Sequence, residues 1–203
     1  MLMHNPKDLS CFKEAFNAKT VYYFTDRERD EHEVYLTESE DGTELIARYK
    51  LSNELVPPSD PEEPHLYMWD MNERLYIVDD TWDKEKYQTI KHTGLMGGKA
   101  ALSGGKAGFG EHGKLLSIGF SSGHYRPKIP AVAMMYQWVK DKQGLNATAF
   151  EWTARTQWTS ENCDKYDWDK FKVESYDAQQ SKQACYEVTN SPTWTEREDV
   201  RRR

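Results

Sequence analysis

The sequence predicts an α+β fold, mainly antiparallel β-sheet with one well-defined helix packed across it. Three observations carry this. Short β-branched and aromatic runs recur at residues 21–24, 33–37, 44–50, 66–77 and 114–120, separated by turn residues. Asp41-Gly42 and Met71-Asn72-Glu73 stand between paired runs, the pattern of hairpins. The clearest helical spacing lies in residues 130–143, where Val132, Met135, Tyr136 and Val139 share a face, Pro130 suits the first turn and Gly144 the end.

In chain order, residues 6–17 read as a short helix and residues 21–24 as a first strand. Residues 26–33 read as an acidic–basic surface turn. The hairpin around Asp41-Gly42 follows. Pro57, Pro58, Pro61 and Pro64 then interrupt any regular element, so residues 57–64 are a loop or internal boundary. Past it comes the second hairpin, with Leu66, Met68, Leu75 and Ile77 at alternating positions, and then a charged loop around Trp82. Residues 148–152 look like a returning strand. From residue 155 onward aromatic residues are interspersed with Asp, Lys and Ser, which suits a strap laid over the domain. The 203 residues are therefore expected as a single domain: an N-terminal β layer (1–56), the Pro-rich loop (57–64), a Gly-rich core module (65–154) and a C-terminal strap (155–203).

Ten of the twelve glycines lie in residues 94–123, together with His92, His112 and His124. Glycine is retained where backbone turns tightly or approaches something closely, so this span is expected to form shaped turns around a site. Residues 108–115 nearly fit two nucleotide patterns, but Leu115 stands where a P-loop needs Ser or Thr, and a strand, not a helix, is expected next. The histidines lack HExxH or HxH spacing, so no metal site is assigned. Ser122, Gly123, His124, Tyr125 and Arg126, closed by Pro127, gather a hydroxyl, an imidazole, a phenol and a guanidinium in one turn. There Arg126 suits an anion and His124 a proton transfer near neutral pH.

A net charge of −7 argues against nucleic acid as partner, and no run approaches the roughly 20 apolar residues of a membrane span. Cys11, Cys163 and Cys185 are too few and too scattered for a disulfide framework. With no secretory leader in the N-terminal residues, a reducing, cytoplasmic home is expected.

The order LYMWDMNERLYIVDD, HTGLMGGKAALSGGKAGF and GKLLSIGFSSGHYRP resembles the C-terminal domain of plant IQ-motif calmodulin-binding proteins and its fungal and bacterial relatives. The likeness covers residues 66–139 and is most specific at SGHYRP. It aligns His92 with the family's His, Gly97-Gly98 with its paired glycines, and Ser122 to Pro127 with its corner. Thr93-Gly94 replaces the usual paired serines, and no IQ helix is present, so calmodulin binding through an IQ motif is not implied.

The leading expectation is a cytoplasmic small-molecule or peptide-binding domain. Its anion-accepting pocket is formed by Gly-rich turns and the SGHYRP corner, with His92, Gly97, Gly98, Ser122 and Arg126 as ligand-binding residues. An enzyme is the alternative, a transferase or hydrolase on a phosphorylated or nucleotide-like substrate, with His124 and Tyr125 as catalytic groups and Arg126 as anion clamp. A regulatory protein-interaction module with Trp and Tyr anchors is the third reading. The sequence names no cofactor, and the partner is a small anionic ligand or a protein.

Overall fold

The computed structural model describes residues 20–79, 88–122, 125, 127–155, 158–171 and 177–197, so the helix expected at 6–17 and the loop around Trp82 lie outside the described residues. In chain order the elements are β1 (Thr20–Tyr22), α1 (Asp26–Glu31), β2 (Glu33–Glu38), β3 (Leu45–Tyr49), β4 (His65–Asp70), β5 (Leu75–Val78), β6 (Gln88–Ile90) and the single turn α2 (His92–Leu95). There follow β7 (Ala101–Phe109), β8 (Leu115–Gly119), α3 (Ile129–Gln137), β9 (Glu151–Arg155), α4 (Ser160–Lys165), α5 (Ala178–Thr189) and β10 (Trp194–Arg197). Among the described residues no helix is long and apolar enough to cross a membrane.

Eight strands make one sheet in the order β10-β9-β8-β7-β4-β5-β2-β3, while β1 and β6 pair in parallel as a separate ribbon. Both expected hairpins form. Leu36 faces Ala47 across the first, and Tyr67 faces Ile77 across the second. At the first turn Gly42 takes a φ of +67°, and Asp41 accepts from Ser39 Oγ and from the Thr43 amide and hydroxyl. The sheet is mixed, however, because β8, β9 and β10 run parallel. Parallel neighbours need a crossover of a dozen or more residues, and the chain supplies two, through α3 and then through α4 and α5. At the far edge the hairpin curls back: Ile46 of β3 bridges Lys114 at the entry to β8, and Lys114 Nζ meets Glu44 at 2.5 Å.

The strands β4 and β5 are buried on both faces. Tyr67, Trp69, Leu75 and Ile77 join the main core, whereas Leu66, Met68, Tyr76 and Val78 meet Phe24, Ile90, Leu95 and Met96 in a second one. The expected alternation of core and surface is therefore replaced by alternation between two cores. Asp70, buried at the end of β4, accepts from the Asn72 and Arg74 amides, from Arg74 Nε at 3.0 Å and from the Tyr76 hydroxyl at 3.1 Å. That many donors allow a carboxylate to stay buried.

Residues 101–109 are a nine-residue strand where the glycines were expected to mark turns. β7 lies between β4 and β8, and glycine is needed there for close approach. A Cβ on Gly105 would stand 1.7 Å from the Gly119 carbonyl oxygen, and one on Gly104 would stand 2.3 Å from Met68 Sδ.

Helix α3 is buried continuously from Pro130 to Gln137, contacting β7 on one side and α5 on the other. A helix covered all round must be apolar all round, which explains the run IPAVAMM. It passes into a π turn at Trp138–Lys142, and Gly144, at φ +65°, follows as the sequence predicts. It is not alone. The surface turn expected at 26–33 is α1, started by a capping box in which Thr25 and Glu28 bond each other's amides. The strap expected from residue 155 contains α4, α5 and β10. A disulfide joins Cys163 of α4 to Cys185 of α5, where scattered cysteines had been expected to stay unpaired. The helix spacing brings them together: both sulfurs face the same interface and are buried.

Two outcomes follow. Gly105→Ala should lose about 1–3 kcal/mol, towards the upper end because the obstacle is backbone, read as a lowered midpoint in denaturant unfolding. Cys163→Ser opens a loop with a sequence separation of 22. It should cost about 3 kcal/mol in the same assay, with the wild-type cross-link visible by mass spectrometry without reductant.

Candidate functional site

His92 opens α2 and its Nε2 lies 2.9 Å from the Gly105 carbonyl oxygen, so this imidazole ties the turn to the middle of β7. Gly97 and Gly98, at φ +59° and +77°, close the turn as a Schellman motif. The Gly97 amide donates to Gly94 and the Gly98 amide to Thr93. Both N–H groups are thus engaged inside the turn and are not aimed at a ligand. Ser122 is buried and its Oγ accepts from the Tyr125 amide at 3.4 Å. Tyr125 donates its hydroxyl to the Lys99 carbonyl at 2.7 Å, and burial and then the neighbouring Tyr23 push its phenol up. The structure therefore brings His92, Gly97, Gly98, Ser122 and Tyr125 into one neighbourhood where the corner after β8 clasps the turn after α2. His124 and Arg126 lie outside the described residues.

The clasp extends to α1, through residues the sequence did not single out. Arg29 is buried, and its guanidinium donates to Asp26 at 2.5 Å and to the Met96 carbonyl at 3.4 Å. Asp26 also accepts from Lys99 Nζ at 2.7 Å. The Lys99 ammonium and then the Arg29 guanidinium hold the Asp26 carboxyl at about 2. The i,i+3 spacing of Asp26 and Arg29 was legible once a helix was assumed; the burial of Arg29 was not.

The neighbouring cavity, of about 640 Å³, is lined by Pro127, Lys128 and Ile129 on the corner and by Trp158, Thr159, Asn162, Lys165 and Tyr166 at the start of α4. These segments leave the carboxyl ends of the adjacent parallel strands β8 and β9. Ligands in α/β sheets commonly bind at that end, because the connecting loops open there. Among the described residues the lining carries two ammonium groups and no carboxylate. Lys165 has an exposed i,i+4 contact with Glu161 at 3.5 Å, whereas Lys128 has no ion pair among the described residues. Among the described residues the Thr159 side chain makes no cap hydrogen bond to α4, and Thr159 and Asn162 both line the cavity. Sequence reasoning reached this cavity only at its Pro127 edge. The other wall depends on the parallel pairing of β8 and β9, which no local pattern announces.

No triad of His, Cys, Asp or Glu is grouped to hold a metal among the described residues. His112 is exposed on the Glu111–Gly113 turn beyond β7, at φ +58°, away from the bond that His92 makes with Gly105. The near-match to a nucleotide loop is the end of β7 and the entry to β8, with Gly108 in the strand and Lys114 paired to Glu44.

Fold and site together define an α+β protein with a cationic cavity at the carboxyl ends of two parallel strands. No family model, curated protein or solved structure matches the chain.

The depressed Asp26 carboxyl gives a signed expectation. A group whose folded pKa is lowered from 3.8 to about 2 adds stability above its ordinary value and loses it as pH falls through the folded one. A carbon-13 titration should place the Asp26 midpoint near 2, and Asp26→Asn should flatten the acid limb of the stability curve in that window.

Proposed function

We propose that this chain is a small-molecule-binding domain whose pocket accepts an anion between the corner after β8 and helix α4. The cavity carries the reading. Its volume falls within the roughly 300–1,000 Å³ usual for small-molecule sites. Lys128 and Lys165 supply positive charge, with no carboxylate among the described lining residues. Lys165 has its exposed contact with Glu161, so Lys128, which has no ion pair among the described residues, is the stronger candidate. The anion site is thereby moved from the glycine amides to the lysines. A protein-interaction module has less support: the exposed Tyr23, Tyr35, Leu51, Met71 and Leu116 sit on five separate segments, as single surface apolar residues commonly do. Membership in the domain family of the IQ-motif proteins is also our reading, carried by residues 66–139 and the SGHYRP corner.

The Cys163–Cys185 disulfide bears on the compartment. Such bonds persist in oxidising surroundings and are rare in the cytosol, so an oxidising compartment is the better reading than the cytoplasmic one expected from the sequence.

The test is calorimetric titration with ribose 5-phosphate and citrate. Wild type should bind at least one of them, and Lys128→Ala should weaken that binding about tenfold, the size of one lost charge-assisted hydrogen bond, with no change in thermal midpoint. Equal affinity in Lys128→Ala would sink the assignment.

A further inference from the structure

We infer that the pocket takes a planar aromatic ring bearing an anionic group, a phosphate or a carboxylate. This rests on the anion-binding reading above and adds the ring. Two aromatic side chains line the cavity, Trp158 and Tyr166, and each is held from behind by other rings. Trp158 stacks on Phe120 with centroids 6.2 Å apart and planes at 27°. Phe120 in turn stacks on Trp152, 5.9 Å away and at 10°. Trp152 is fully buried, donates its indole N–H to the Ala147 carbonyl at 2.7 Å, and packs against Phe150 and Tyr136. Trp158 is thus the outermost member of a stack rooted in the core.

Tyr166 has a similar support. Its ring meets Trp168 edge to face at 5.1 Å, and Trp168 donates its indole N–H to the Cys163 carbonyl at 2.8 Å. Cys163 is the residue tied to α5 by the disulfide. Both aromatic walls are therefore oriented before anything binds, which spares the ordering cost that flexible side chains impose. The Trp158 indole stacks on Phe120 and also lines the cavity, so it stands between the core and any bound molecule.

A ring against these walls gains apolar burial and stacking, each pair contributing beyond its area. Lys128 and Lys165 then receive the anionic substituent, and the Thr159 hydroxyl and Asn162 amide meet heteroatoms on the ring edge. A ringless anion uses only the lysines, and a neutral ring uses only the aromatic walls. A planar anion uses both.

The experiment compares two trios on the full chain by calorimetry. One is adenosine 5′-monophosphate, adenosine and ribose 5-phosphate; the other is quinoline-2-carboxylate, its carboxamide and acetate. In at least one trio the anionic ring should bind about tenfold more tightly than both counterparts. Trp158→Leu should lose about tenfold for that compound and leave the ringless anion unchanged. Because the ligand series is read on wild type, the test survives a Trp158→Leu variant that melts early, and Tyr166→Leu then replaces it. A ringless anion as tight as its ring partner overturns the ring and leaves the anion site standing. A neutral ring as tight as the anionic one, or no binding by any of the six, overturns both readings.

Discussion

The distance between neighbouring backbones around β7 is the constraint on which the rest of the structure depends. Gly105 leaves no room for a Cβ against the Gly119 carbonyl, whereas a Cβ on Gly104 would meet the Met68 side chain. These contacts set β4 on one side of the strand and β8 on the other. The Gly105 carbonyl oxygen also lies 2.9 Å from His92 Nε2, so α2 docks on the same strand. Several of the elements around the site are referred to this strand: α2 through His92, the corner through β8, and α3 through its packing against β7.

Two cores follow from that arrangement. The face of β4 and β5 carrying Tyr67 and Trp69 belongs to the core shared with α3, and the face carrying Leu66 and Met68 is closed by Phe24, Leu95 and Met96. Burial on both faces would be costly if polar groups were left inside without partners. Asp70 meets this by collecting the Arg74 and Tyr76 donors, and Arg29 by pairing with Asp26 and the Met96 carbonyl. The charged residues that read as surface in sequence are thus partly the means by which helices and turns are fastened to the sheet.

The cavity arises where the antiparallel half of the sheet gives way to the parallel half. A strand that returns antiparallel brings its loop to the opposite end of the sheet; β8 and β9, running parallel, send theirs out at the same end. The corner and the start of α4 are therefore side by side although about thirty residues apart in sequence. The aromatic stack from Trp152 through Phe120 to Trp158 carries the rigidity of the core to the cavity wall.

Local chemistry determined a good deal of this protein. Asp41-Gly42 fixed one hairpin, because a tight turn needs a residue that tolerates positive φ, and the alternating runs around Met71-Asn72-Glu73 fixed the other. Pro130 and Gly144 bounded the one continuously apolar helix among the described residues. The neighbourhood of His92, Gly97, Ser122 and Tyr125 was legible as well, since unusual residues were concentrated there. Tertiary structure alone decided the rest. Gly104, Gly105 and Gly108, which marked turns in sequence, lie in a strand, because what they avoid is atoms from elsewhere in the chain: the Met68 side chain, the Gly119 carbonyl and the Ser117 hydroxyl. The parallel pairing of β8 with β9, the meeting of Cys163 with Cys185 and the approach of Lys128 to Trp158 and Tyr166 are all non-local. Periodicity reports which face of an element is buried, and it carries no information about which distant segment buries it.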